Sequence, residues 1–338
     1  LLRKERLSTP QNPQLGWGIS RELAMVSGMF ILAVLAAVVV LGTLYPIASE
    51  MLLGVKVNVQ APYFNAFAPW FGAALALLMA LGALLRYHSK KLVLSKQAFI
   101  ILVALSLLTA ITFAKVSDVF ASHGFRFSIQ LIGSWLVFFT IYSQIADLIC
   151  RYQPLRAISS KTSNTPFTYL VFFKKNLTYI GSVLAHLGFL IAILGFLGNY
   201  SAMKQSWRLN EKDVVSFMGY DFEYLGMDTV TQDNATLFRA TIALKHKQVL
   251  VDVLSPARSS YPTKKELLHE VDVRSAVWHD IYLVLANIPE KKGGAITLQI
   301  YYNPLVKLVW LSLVFMVLGV VVIFLGRRGS PSPLLPHT

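Results

Sequence analysis

Six long apolar runs set the limits on what this chain can fold into: Ala24–Ile47, Ala66–Leu85, Ala98–Ala114, Ile129–Ile149, Tyr179–Gly198 and Leu305–Gly326. A helix of about 20 residues crosses the ~30 Å hydrocarbon core of a bilayer. Lipid offers the backbone no hydrogen-bond partners, so such runs must be helical. Hydrophobic residues make up 55% of the 338 and charged residues 14%, far from the balance of a soluble domain. The first run is too long for the apolar core of a signal peptide and lacks a cleavage-site pattern. The third is the shortest.

Charge gives these spans an orientation. Arg3, Lys4, Arg6 and Arg21 precede the first; Arg86, Lys90, Lys91 and Lys96 follow the second. Arg151, Arg156, Lys161, Lys174 and Lys175 lie between the fourth and fifth, and Arg327 and Arg328 follow the last. The alternate loops hold only Lys56, and Lys115 with Arg126. The positive-inside rule then predicts that both termini are cytoplasmic and that Asn199–Pro304 lies outside. That outer segment has 12 basic and 12 acidic residues, so the net charge of +14 resides in membrane-flanking loops. It sets topology and gives no reason to expect nucleic acid as a partner.

The expected fold is an α-helical polytopic membrane protein, with about six transmembrane helices and a small β-rich external domain between the last two. Residues 1–198 form a membrane domain with five spans, 199–304 the external domain, 305–326 the last span and 327–338 a cytoplasmic tail. Within the external domain "YDFEYLG", "ATLFRATIAL" and "QVLVDVL" have strand character. "DIYLVLANIPEKKGGAITLQIYYN" reads as a hairpin turning near Lys291–Gly294. The single cysteine, Cys150, sits at the inner end of the fourth span, so this chain forms no internal disulfide and has no CxxCH haem-attachment site. His246 in "LKHKQ" reads as solvated. His269 and His279 lack metal-ligand spacing, and "WHD" at Trp278–Asp280 reads as the turn opening a strand. Arg258, Tyr261, Glu270 and Asp280 are expected to make structural salt bridges, with a polar network or docking face as the alternative. Asp147 and Arg151 are spaced as an i,i+4 ion pair.

One titratable group stands inside a span. His186 lies in "SVLAHLGFLIAILG", with no fixed charge between Tyr179 and Gly198. Ionisable residues in spans usually face a bundle interior and carry function; the plain alternative is a neutral imidazole bonded to a neighbouring helix. At 100° per residue Gly181, Gly188 and Gly195 form one smooth face suited to close packing. His186 lies nearly opposite, bordered by Ser182, Leu190, Ile193 and Leu197. A single imidazole among aliphatic groups suits an axial ligand of haem, whose macrocycle needs apolar packing. A second ligand is hard to find here: His88 lies in a basic inner loop and His123 in an outer one.

In order along the chain stand "SREL" (Ser20–Leu23), "VLGTLYP" (Val40–Pro46), "APYFN" (Ala61–Asn65), "AHLG" (Ala185–Gly188) and "NYS" (Asn199–Ser201). "SPARSSY" (Ser255–Tyr261), "HEVDV" (His269–Val273), "DIYLVLA" (Asp280–Ala286) and "YYNPLVKLVW" (Tyr301–Trp310) follow. In this order and topology the chain resembles, almost end to end, the C-terminal half of the CcmF/NrfE-type haem lyases of cytochrome c maturation. The resemblance implies a protein that joins haem to apocytochrome c thiols at the periplasmic face of the cytoplasmic (inner) membrane. It implies a b-type haem held between two transmembrane histidines and reduced by quinol, with His186 as the second of them and the first supplied from outside this chain. The implied partners are an N-terminal half carrying a tryptophan-rich segment, a periplasmic haem chaperone, thiol-reducing maturation subunits, apocytochrome c and membrane lipid. The tryptophan-rich segment is not among these residues, so the expectation is one half of a split lyase or part of a fused one, not competent alone. A non-catalytic scaffold docking chaperone and apocytochrome is the alternative. A transporter finds little support, because no broken helix pair or inverted repeat is visible.

Overall fold

A computed structural model describes residues 20–85, 92–116, 125–159, 165–199, 202–232, 235–261, 267–289 and 294–328. Among them are six helices long and apolar enough to cross a membrane. These are α1 (Arg21–Leu53), α2 (Ala61–Leu84), α3 (Lys96–Val116), α4 (Phe125–Ser159), α5 (Thr165–Asn199) and α6 (Val306–Arg328). Ser20 caps α1 by accepting the Leu23 amide at 3.3 Å, and Gly54 ends it in the left-handed region that glycine favours. The helices exceed the apolar runs because hydropathy marks the hydrocarbon slab, whereas a helix continues until capping or chain reversal stops it.

The described residues form two compact units. One takes in the described parts of Leu1–Ala110, Trp135–His186 and Gly319–Thr338. Here the α1 backbone meets aromatic rings of α2: a Cβ on Gly42 would lie 2.7 Å from the Tyr63 ring. Thr140 of α4 donates to the Ala76 carbonyl of α2 at 2.9 Å, and Trp135 donates to Ser106 of α3 at 3.1 Å. Such bonds satisfy buried polar groups that lipid could not.

The second unit takes in the described parts of Ile111–Ser134 and Leu187–Leu318. Its ten strands are β1 (Met203–Leu209), β2 (Val214–Phe217), β3 (Tyr220–Gln232), β4 (Ala235–His246), β5 (Val249–Leu254), β6 (Ala257–Ser260), β7 (Leu268–Glu270), β8 (Asp272–Ser275), β9 (His279–Asn287) and β10 (Ile296–Pro304). One sheet runs β1-β10-β9-β8; the other runs β2-β3-β4-β6-β7, with β5 also paired to β4. Both contribute to one core. Ile296, Leu298 and Ile300 alternate inward from β10 and meet Ile281, Leu283 and Leu285 of β9, all six at most 1% exposed. Each such side chain stabilises the domain by about 2 kcal/mol through its removal from water. The hairpin reading of this region holds for the strands, which pair antiparallel with Tyr282 opposite Tyr301. Its expected turn at Lys291–Gly294 lies, apart from Gly294, outside the described residues.

Candidate functional site

α5 departs from helical geometry at Asn176 (φ −115°, ψ 17°), and the part that follows, Asn176–Gly198, is apolar enough to span. Its glycine face is closed by α6. A Cβ on Gly181 would lie 2.7 Å from the Gly319 carbonyl oxygen, and one on Gly188 would lie 2.8 Å from the Ser312 oxygen and the Met316 nitrogen. One on Gly195 would lie 3.0 Å from the Val309 nitrogen. Backbone therefore meets backbone along this seam, as the seven-residue glycine spacing predicts.

On the other side stands His186. It is exposed on the helix surface and makes no hydrogen bond to any described residue. An imidazole satisfied by a neighbouring helix, the plain alternative, is therefore not what the described residues provide. The surroundings differ in part from the sequence-based reading. Leu190 is fully buried, and Leu197 closes on Gly133 of α4, so only part of the expected aliphatic border is open.

Seven residues before His186, about 10 Å along the axis and close to the same face, Tyr179 donates to Asp147 Oδ2 at 2.9 Å. The same oxygen accepts from Arg21 Nη2 and Arg151 Nε, each at 3.2 Å. The Arg151 guanidinium also lies 4.3 Å above the Tyr179 ring. The expected Asp147–Arg151 pair is thus one edge of a larger junction joining α1, α4 and α5. Sequence reasoning missed Arg21 and Tyr179. The available signal was that Asp147 is the only carboxylate in α4, and a buried carboxylate needs several donors.

In the β-domain the expected network of Arg258, Tyr261, Glu270 and Asp280 is replaced by separate local bonds. Arg258 donates to the Ala286 carbonyl at 2.8 Å, Glu270 accepts from Ser259, and Asp280 accepts from Ser275 at 2.7 Å. Nearby backbone and hydroxyls reach these groups before they reach one another. His246 is half-buried rather than solvated, with Nδ1 2.8 Å from the Gly219 carbonyl and its ring against Tyr220. His269 is exposed, with Nδ1 3.0 Å from the Leu285 carbonyl. His279 opens β9, bonds Tyr220 at 3.0 Å and stacks on Tyr302. Burial pushes its pKa below the ordinary histidine value; Asp280 opposes the shift, while Arg274, His246 and Lys307 reinforce it. His88 and His123 lie outside the described residues.

An axial haem ligand must offer a nitrogen lone pair, free of other hydrogen bonds, beside room for a flat apolar ring. His186 meets the first condition among the described residues and stands exposed within a span, so the residues present fit such a group.

Residues 200–304 match the family described as CcmF C-terminal beta-sandwich. Over 310 residues the chain is 28% identical to cytochrome c-type biogenesis protein ccl1 of Rhodobacter capsulatus, covering 89% of this chain and 43% of that protein. It is 29% identical over 327 residues to CycK of Bradyrhizobium diazoefficiens, covering 93% and 46%. Against CcmF of Escherichia coli it is 25% identical over 331 residues, covering 94% and 46%. A solved structure, Cytochrome c Heme Lyase CcmF, has the same fold, with a TM-score of 0.62 at 19% identity over 90% of this chain and 46% of that one. The chain spans less than half the length of the curated relatives it matches. It is a relative of the CcmF-type cytochrome c biogenesis proteins, to whose C-terminal part it corresponds.

Proposed function

We propose that this chain supplies the C-terminal half of a haem lyase, which attaches haem to apocytochrome c on the outer face of the cytoplasmic membrane, and that His186 provides one axial ligand to a b-type haem within the membrane. The observation that carries this reading is the exposed imidazole inside a span, unpartnered among the described residues. The glycine seam behind it and the Asp147 junction below it fix the rotation of α5, and so the direction in which His186 is presented. The opposite ligand comes from an upstream half of the protein, which also covers the exposed face of α5. When bound, such a haem supplies a one-electron carrier able to pass quinol-derived electrons outward to the haem being attached. The residues of this chain hold it, exclude water from it and orient it.

Loop charge supports cytoplasmic termini and a periplasmic β-domain. In that arrangement the β-domain faces the compartment where a haem chaperone, thiol-reducing subunits and apocytochrome c meet. Its His246, His269, Arg258, Glu270 and Asp280 are each engaged in local bonds, which supports docking rather than chemistry.

Producing this chain together with the upstream half, and recording reduced-minus-oxidised spectra, tests the reading. His186→Ala removes the low-spin b-haem signal and lowers cytochrome c maturation. An intact signal would refute the ligand assignment. Normal maturation by a haem-independent complex would make the chain a scaffold instead.

A further inference from the structure

The turn between β8 and β9 differs from two other turns of the β-domain. The β1–β2 connection is Asn210–Asp213 and the β4–β5 turn is Lys247–Gln248, both polar. Between β8 and β9 stand Ala276, Val277 and Trp278, with Val277 76% and Trp278 55% exposed. Two large apolar side chains held out from a β-turn into water are unfavourable unless something apolar covers them.

The position of this turn says what covers it. The Trp278 carbonyl accepts the Leu305 amide at 2.7 Å, and Leu305 directly precedes the α6 span, Val306–Arg327. His279 pairs with Pro304 in the β9–β10 register. The outer end of a second span lies beside them, since a Cβ on Gly198 of α5 would fall 2.7 Å from the Pro304 oxygen. Leu305 makes the change from strand to helix with a φ of 57°, a strained value for leucine that its surroundings must hold. The ends of two membrane helices and the Val277–Trp278 turn therefore share one level. At the edge of a bilayer, that level is the layer where indole rings concentrate, with the ring among acyl chains and the N–H toward headgroups. Trp310, five residues beyond Leu305 and 70% exposed, adds a second indole just inside the α6 span.

We propose that Val277 and Trp278 insert into the outer membrane–water interface as a lipid anchor for the β-domain. The partner is a phospholipid surface, met through the glycerol and upper acyl region. The anchor makes a third attachment to the bilayer beside the ends of α5 and α6, and limits how far the β9–β10 hairpin tilts on those two connections. This inference depends on α5 and α6 being spans, not on haem ligation by His186.

The full chain with its upstream half, in nanodiscs of phosphatidylcholine and phosphatidylglycerol, provides the test. The Trp278 emission is obtained as the difference between the wild type and Trp278→Phe. Lipids brominated near the carboxyl end of the acyl chain should quench it at least twice as strongly as lipids brominated near the methyl end, and aqueous iodide should quench it several-fold less than it quenches free tryptophan. Quenching by iodide without quenching by bromolipid would overturn the proposal, as would quenching by neither, which would mean that protein covers the turn. A nitroxide on Val277→Cys in a Cys150→Ala background leaves the indole in place. Collision with oxygen should exceed collision with a water-soluble nickel chelate; the reverse order would also overturn the proposal.

Discussion

Gly319 of α6 lies so close to Ala185 of α5 that a methyl group on Gly319 would fall 2.5 Å from the Ala185 amide nitrogen. Ala185 is the residue before His186, so the helix carrying the candidate ligand is held by backbone contact at that very turn. No side-chain rearrangement relieves a clash with backbone.

Gly319→Ala therefore separates α5 from α6 and lowers stability by about 1–3 kcal/mol, the range for overpacking a well-fitted contact. Gly82→Ala in α2 is the control: a Cβ there meets nothing within 4 Å, and alanine favours the helix by about 1 kcal/mol. Unfolding in mixed detergent micelles should order the proteins Gly82→Ala, wild type, Gly319→Ala from most to least stable. Equal stability of the two variants would contradict the seam.

The Asp147 junction predicts unequal couplings. The Asp147 and Arg21 side chains are 6% and 13% exposed, whereas Arg151 is 35% exposed. Removing the carboxylate with Asp147→Ala takes the shared acceptor away from Arg21, Arg151 and Tyr179 and costs about 3 kcal/mol. A double-mutant cycle between Asp147 and Tyr179→Phe should give about 1.5–3 kcal/mol, as for a hydrogen bond to a charged group. The cycle with Arg151→Ala should give less than about 1 kcal/mol, because solvent screens that pair. The opposite ranking would show that the tyrosine does not tie α5 to α4.

The membrane part was largely legible from sequence because lipid leaves a chain few choices. Length and apolarity mark the spans, and the heptad of Gly181, Gly188 and Gly195 foretells a close helix contact on that face. Neither identifies α6 as the neighbour, because any helix with small residues or an open groove would satisfy the same spacing. Asp147–Arg151 was readable as a local pair. Its links to Tyr179, 32 residues away, and to Arg21, 126 residues away, exist only in the folded packing. The β-domain showed its strands but not their order: β1 pairs with β10 across the whole domain. Ionisable residues there announced that they need partners without saying which. Arg258 and Glu270 were placed in one expected network, yet a carbonyl takes up the first and a serine the second.

His279 makes the β-domain sensitive to acid. Its pKa in the folded state lies below the ordinary value of about 6.5, so below that pH the unfolded chain binds the proton more readily. The neutral ring's contribution is complete above about pH 6.5 and is lost as pH falls from there through the folded-state pKa. Amide exchange in β9 and β10 of the full chain should quicken between pH 7 and pH 5. His279→Gln should flatten that dependence; an unchanged profile in this variant would assign the acid sensitivity to other groups.

The central claim is that the imidazole of His186 binds iron. Low-temperature electron paramagnetic resonance of the assembled protein, wild type against His186→Met, tests it most directly. The account predicts that a signal typical of two imidazole ligands in the wild type gives way to an imidazole–thioether or high-spin signal in the variant. An identical low-spin spectrum from both proteins would contradict it.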